Sequence, residues 1–70
     1  MGNIFGERLK SLRKAADITQ QELADRVGVH LQTVSKWERG ITEPDMCMFG
    51  EIASALGVTI EELWGVPSAE

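Results

Sequence analysis

The stretch from Thr19 to Gly40 constrains the fold of this chain more than any other part of the sequence. Thr19 is a favourable helix N-cap and Glu22 follows three residues later, a capping-box pattern that predicts the start of a helix. Gly28 ends this helix, because glycine adopts a left-handed cap without steric cost. Gly40 ends a second helix. The stretch therefore predicts two short helices joined by a tight turn.

The apolar residues of this stretch support the same interpretation. Five of them recur at helical spacing on the two helices, namely Leu23, Ala24, Val27, Val34 and Trp37. Two helices that meet at a steep angle need a small side chain where they cross, and Ala24 lies at the position that requires it. The pattern predicts a helix-turn-helix over residues 20–39.

Three further helices are predicted around this motif. A first helix from about residue 3 to 16 is indicated by the spacing of Ile4, Phe5, Leu9, Leu12 and Ala16. After the stop at Pro44, Asp45 is a suitable N-cap for a fourth helix to about residue 56, with an apolar face of Met46, Phe49, Ile52, Ala53 and Leu56. Thr59 and Glu62 repeat the capping-box pattern before a short fifth helix, which holds Ile60, Leu63 and Trp64.

Length and composition restrict the class of protein. Seventy residues make one domain with no room for a deep catalytic cavity, so we expect a compact all-α five-helix bundle over residues 1–66 and a short tail at 67–70. No apolar run approaches the ~20 residues that span a bilayer, which predicts no membrane association. The single cysteine, Cys47, fits a reducing compartment and predicts a cytoplasmic protein. With one cysteine and one histidine, neither a metal site nor a cofactor is expected.

The charge of the chain is unevenly distributed. The net charge of −4 argues against a nucleic-acid partner at first sight. All seven basic residues nevertheless lie in the first 39 positions, where five acidic residues leave a net charge of +2. The remainder has six acidic residues and no lysine or arginine. This asymmetry is compatible with DNA binding by the first half, with weak electrostatic attraction.

Several segments match the spacing of a known family. They are LKSLR at 9–13, TQQELA at 19–24, GV at 28–29, VSKWERG at 34–40, Pro44, and IASALGV at 52–58. Over about residues 4–64 the chain closely resembles the Cro/phage-repressor-type (XRE-type) helix-turn-helix family. The resemblance implies a lambda-repressor-like domain that binds operator DNA, usually as a two-fold dimer. It implies a transcriptional regulator, either a small repressor of a palindromic operator or the DNA-binding component of a toxin–antitoxin pair, with a toxin or effector protein as a further partner.

The resemblance makes the second motif helix, about residues 31–39, the recognition helix. Once its apolar face is buried, five residues remain on the outer side: Leu31, Gln32, Ser35, Lys36 and Arg39. Gln32 can bind adenine through two hydrogen bonds, and Lys36 can donate to guanine. Leu31 either contacts a thymine methyl group or covers the rim of the motif turn. The base-contacting set is therefore predicted to be Leu31, Gln32, Ser35 and Lys36.

A first set of phosphate contacts is predicted where the first motif helix begins. Thr19, Gln20 and Gln21 open this helix, whose backbone N–H groups and dipole favour an anion. Plain helix capping explains the same residues, and both roles are compatible.

A second set of phosphate contacts flanks the recognition helix. His30 occupies its cap position and either contacts a phosphate or is a partly exposed cap residue without a special role. Arg39 and Thr42 flank the other end and are predicted to hold the neighbouring backbone. Glu43 stands where family members frequently carry a basic residue, which predicts weaker non-specific affinity.

The resemblance also implies one structural ion pair. In the family, the residues that match Arg13 and Glu38 pair between the first helix and the recognition helix. We therefore expect a partly buried pair that fixes the orientation of the recognition helix.

The sequence also bears on two other classes of function, a protein-interaction adaptor and an enzyme. A protein-interaction adaptor that has lost operator binding is favoured by the acidic second half and Glu43, and opposed by Gln32, Lys36 and Arg39. An enzyme is not expected, because the sequence has no nucleophile–base pair, paired carboxylates or phosphate-binding loop.

Overall fold

The computed structural model describes residues 4–64 and confirms the predicted fold class. Within this range the chain forms five helices and no strand: α1 (Ile4–Ala15), α2 (Gln20–Val27), α3 (Leu31–Arg39), α4 (Met46–Leu56) and α5 (Ile60–Trp64). None of these helices is long and apolar enough to cross a membrane. The tail predicted at 67–70 lies outside the described range, and so do Val66 and Pro67, which the sequence would group with Trp64 in a small apolar cluster.

The predicted helix boundaries are present as hydrogen-bonded caps. Thr19 Oγ1 accepts from the Glu22 N–H at 3.0 Å, and the Glu22 carboxylate accepts from the Thr19 N–H at 2.8 Å. Asp45 accepts from the Met48 N–H at 3.0 Å. Gly28 has φ +77°, the left-handed value that the predicted stop requires. These local bonds explain why short helices begin and end where the sequence indicates.

The core is formed by apolar residues from all five helices and from the α1–α2 connection. Its buried members are Phe5, Leu9, Ile18, Leu23, Ala24, Val27, Val34, Trp37, Phe49, Ile52, Ala53, Leu56 and Leu63. Ala24 is fully buried, as the crossing of α2 and α3 requires. Because α3 packs against both α1 and α2, its inner side is held by the core and its outer side is left to solvent.

Four residues predicted on apolar faces lie at the surface. Ala16 is exposed because α1 ends at Ala15 and the chain then turns through Asp17, which has φ +62°. Met46 is 81% exposed, since the first turn of α4 extends past the core that begins at Phe49. On α5, Ile60 and Trp64 are 46% and 44% exposed, and only Leu63 is buried there. Apolar spacing placed these four on helix faces but did not show that they are exposed, and the Trp64 ring still stacks on buried Phe49 at a centroid distance of 5.0 Å.

Candidate nucleic-acid interface

The outer face of α3 presents the side chains that were predicted to contact bases. Leu31, Gln32 and Lys36 are exposed, and Ser35 is half-buried. On the opposite side of the helix Val34 is completely buried and Trp37 is 3% exposed. The helix thus has one face anchored in the core and one free face that carries an apolar group, an amide, a hydroxyl and an ammonium group. Whether this face contacts bases remains a prediction.

Arg39 lies along α3 beside Ser35. Its Nε is 3.2 Å from the Ser35 Oγ and 3.4 Å from the Ser35 carbonyl oxygen. The guanidinium still has further N–H donors for a phosphate, because these contacts use only the Nε. The Ser35 oxygen accepts from Arg39, so its own hydroxyl hydrogen is left to donate.

The first turn of α3 is not capped by a side chain. His30 has extended backbone angles at the N-cap position and is exposed, but its imidazole makes no capping hydrogen bond. Its carbonyl oxygen accepts from the N–H groups of Thr33 at 3.0 Å and Val34 at 3.3 Å. Thr42 and Glu43, which follow the other end of α3, are both exposed.

The three residues that open α2 each have a partner within the protein. Thr19 belongs to the capping box with Glu22. Gln20 donates its amide to Glu38 at 2.9 Å, and Gln21 donates to Asp25 at 3.0 Å. The structure therefore brings these residues together at one helix end, although their side chains also serve the fold.

The same helix end borders a groove that includes a residue missed by the sequence interpretation. This groove is open to solvent and is lined by Arg13, Lys14, Asp17, Ile18, Thr19, Gln20 and Gln21. Lys14 is exposed and has a cationic end next to the predicted phosphate contacts. Its position directly after Arg13, in the last turn of α1, was the available signal.

Arg13 and Glu38 form an ion pair across the inner side of the site. The Arg13 Nε donates to Glu38 at 2.7 Å and the Nη2 at 3.2 Å, with side-chain exposures of 10% and 3%. The Arg13 Nη1 also donates to the Ile18 carbonyl oxygen at 2.9 Å. The pair links the last turn of α1 to the last turn of α3, and its role in orienting α3 stays a prediction. Among residues 4–64 no three His, Cys, Asp or Glu side chains gather as a metal ion would require.

Comparison with known proteins decides the family. A family model described as helix-turn-helix matches residues 9–63, which include the whole of α2 and α3 and the ion pair. The chain belongs to this helix-turn-helix family. It is of the XRE/Cro type, and its members are DNA-binding transcriptional regulators rather than enzymes.

Named relatives show the range of this family. The chain is 42% identical over 59 residues to the cryptic phage CTXphi transcriptional repressor RstR of Vibrio cholerae, covering 84% of this chain and 53% of that one. It is 39% identical over 59 residues to the transcriptional activator BcrR of Enterococcus faecalis, covering 84% and 29%. The P22 c2 repressor, solved in complex with a synthetic operator, superposes with a TM-score of 0.79 at 36% identity, covering 84% of this chain and 89% of that chain.

The region shared with these relatives is the helix-turn-helix domain of this chain. The chain spans about half the length of the curated relatives that it matches first, 56% and 53% of theirs. What this chain shares with them is therefore the helix-turn-helix domain.

Proposed function

We propose that this protein is a repressor that binds a palindromic operator as a homodimer, with α3 in the major groove. The observation that carries the proposal is the free face of α3, which is held in place from behind by buried Val34 and Trp37. A major groove about 12 Å wide accepts a single helix. The likeness to the P22 c2 repressor, whose structure contains an operator, supports this mode of binding.

The base contacts of the proposal follow from side-chain chemistry. Gln32 would bind adenine through its amide, and Lys36 would donate to guanine. Leu31 would contact a thymine methyl group, and the hydroxyl of Ser35 would donate to an acceptor on a base edge. The hydrogen bond from Arg39 supports this role for Ser35, because it occupies a lone pair of the oxygen and not its hydrogen.

Phosphate contacts would lie on both sides of the free face of α3. The proposed set combines the residues at the start of α2 with those that flank α3, and adds Lys14: it consists of Lys14, Thr19, Gln20, Gln21, His30, Arg39 and Thr42. Few of these side chains are cationic, so the counterion-release contribution to affinity would be modest. We place the DNA-binding domain at residues 1–66, with 67–70 as a short tail, in the cytoplasm where operator DNA would be met.

The dimer would use α5. Ile60 and Trp64 are four residues apart, so they lie on the same side of this helix, and both are about half exposed. A second copy that covers both side chains would remove apolar surface from water. Two recognition helices related by a two-fold axis would then bind half-sites whose centres are ~34 Å apart.

Selection of duplexes from a random pool, followed by a salt titration, tests the proposal. A repressor dimer predicts a palindromic consensus, two chains per duplex, and an affinity that falls as salt rises. Insertion of five base pairs between the half-sites should abolish tight binding, since it rotates one half-site to the opposite side of the helix. Absence of any enriched sequence at low salt would instead favour the protein-interaction adaptor.

A second experiment is needed to determine whether the protein represses or activates transcription. RstR is a repressor and BcrR an activator, so the family includes both outcomes. A bound dimer acts as a repressor when it excludes polymerase. We expect a reporter with the selected palindrome across the polymerase site to lose expression when the protein is present. Increased expression would identify an activator, and dependence on a co-expressed protein would indicate a toxin or effector partner.

A further inference from the structure

The carboxylate of Glu38 accepts more hydrogen bonds than its ion pair with Arg13 requires. One oxygen accepts from the Arg13 Nε at 2.7 Å. The other accepts from the Arg13 Nη2 at 3.2 Å and also from the Gln20 Nε2 at 2.9 Å. Gln20 is the first residue of α2 and Glu38 lies in the last turn of α3. This additional bond therefore joins the two helices of the motif directly.

The chemistry of the two groups fixes the orientation of the amide. An ionised carboxylate only accepts hydrogen bonds, so the nitrogen of the Gln20 amide must face Glu38 and its oxygen must face elsewhere. The nitrogen carries two hydrogens, and Glu38 engages one of them. A phosphate is also only an acceptor, so the second N–H of Gln20 is the group that a DNA backbone would use.

The charge balance around Glu38 allows this arrangement. A carboxylate next to a phosphate would repel it, but Glu38 is paired with the guanidinium of Arg13 and its side chain is only 3% exposed. The pair presents little net charge to the outside, and Gln20, which donates to Glu38, is half-buried.

We infer that Glu38 is a positioning residue that orients the Gln20 amide so that its second N–H meets a DNA phosphate. The inference rests on the proposed function and adds to it a connection between the phosphate contact on α2 and the base-reading face of α3. Because one carboxylate holds both Arg13 and Gln20, the phosphate contact at α2 keeps a fixed distance from the base-reading face of α3. Glu38 itself touches no DNA.

A double-mutant cycle in DNA affinity tests the link. Gln20→Ala should weaken binding of a selected duplex about tenfold, the value of one hydrogen bond to a charged group. In a Glu38→Gln background the acceptor oxygen is taken by Arg13, the Gln20 amide loses its fixed direction, and Gln20→Ala should cost about twofold or less. Glu51 is an exposed glutamate on α4 and serves as the control. In a Glu51→Gln background, Gln20→Ala should still weaken binding by the full tenfold. Equal losses in all three backgrounds would overturn the inference.

A second measurement keeps the inference testable if Glu38→Gln does not fold. Side-chain ¹⁵N relaxation of the free wild-type protein compares Gln20 with Gln21, whose amide bonds the exposed Asp25. The Gln20 amide should be clearly more ordered, and equal mobility would contradict its fixation by Glu38. If the wild-type protein selects no duplex, the proposed function fails, while this comparison still decides whether Glu38 orients Gln20.

Discussion

At the scale of single residues, Gly28 and Gly50 are expected to affect the stability of the fold in opposite ways. A Cβ atom added at either position meets no other atom within 4 Å. Gly50 lies inside α4, whereas Gly28 has φ +77°. Gly50→Ala should therefore stabilise the fold by roughly 0.5–1 kcal/mol, and Gly28→Ala should destabilise it by about 1 kcal/mol. Thermal unfolding of both variants checks this. A shift of the melting temperature in the same direction for both would show that local backbone conformation is not the cause.

Arg13 gives the largest single-residue prediction. Arg13→Met removes the partner of a carboxylate that is almost completely enclosed, so it should lower the free energy of unfolding by about 3–5 kcal/mol. Replacing both partners, as in Arg13→Met with Glu38→Leu, leaves no buried charge and should recover part of this loss. Urea unfolding of the two variants measures the difference. A double variant less stable than Arg13→Met alone would contradict the account of a buried pair.

The sequence and the structure agree at some residues and differ at others for a physical reason. Spacing alone identified Val34 and Trp37 as buried, because one face of α3 must meet the core. It did not show that Gln20 donates to Glu38, since that bond joins residues 18 apart in sequence through their side chains. Lys14 was overlooked for a different reason, because the turn of the chain through Asp17, and not its place on a helix face, brings it to the groove.

At the scale of the helices, capping is what made the boundaries predictable. Each boundary predicted from Thr19, Asp45 and Gly28 corresponds to a local hydrogen bond or a left-handed φ. The errors occurred on faces rather than at boundaries. Met46 and Ile60 fit the apolar spacing of α4 and α5, but the core does not extend to them. Periodicity shows which residues share a face, but not how far the neighbouring helix extends.

The capping box of α2 can be tested by two substitutions at one position. Thr19→Ala removes the oxygen that accepts from the Glu22 N–H, and it should cost about 1 kcal/mol of stability. Thr19→Ser keeps that oxygen and should remain close to the wild type. Thermal unfolding of both proteins provides the comparison. An equal loss in both variants would assign the effect to the threonine methyl group instead of the cap.

At the scale of the whole molecule, we expect the distribution of charge to control the attraction to DNA. Glu43 follows α3, whereas Glu51 lines a groove between α2 and α4. Glu43→Lys should raise affinity for random-sequence DNA and steepen its salt dependence by about one phosphate contact. Glu51→Lys changes the net charge equally and should have a smaller effect. Fluorescence anisotropy at several salt concentrations distinguishes them, and equal effects would mean that net charge alone governs binding.

The central claim is that the free face of α3 reads base pairs. Selection from a random duplex pool, performed in parallel with the wild-type protein and with Lys36→Ala, tests this claim most directly. We predict that the wild type enriches a palindromic consensus, and that Lys36→Ala keeps this consensus but loses its preference at one G·C position in each half-site. An unchanged consensus with Lys36→Ala, or no enrichment by the wild type at low salt, would contradict it.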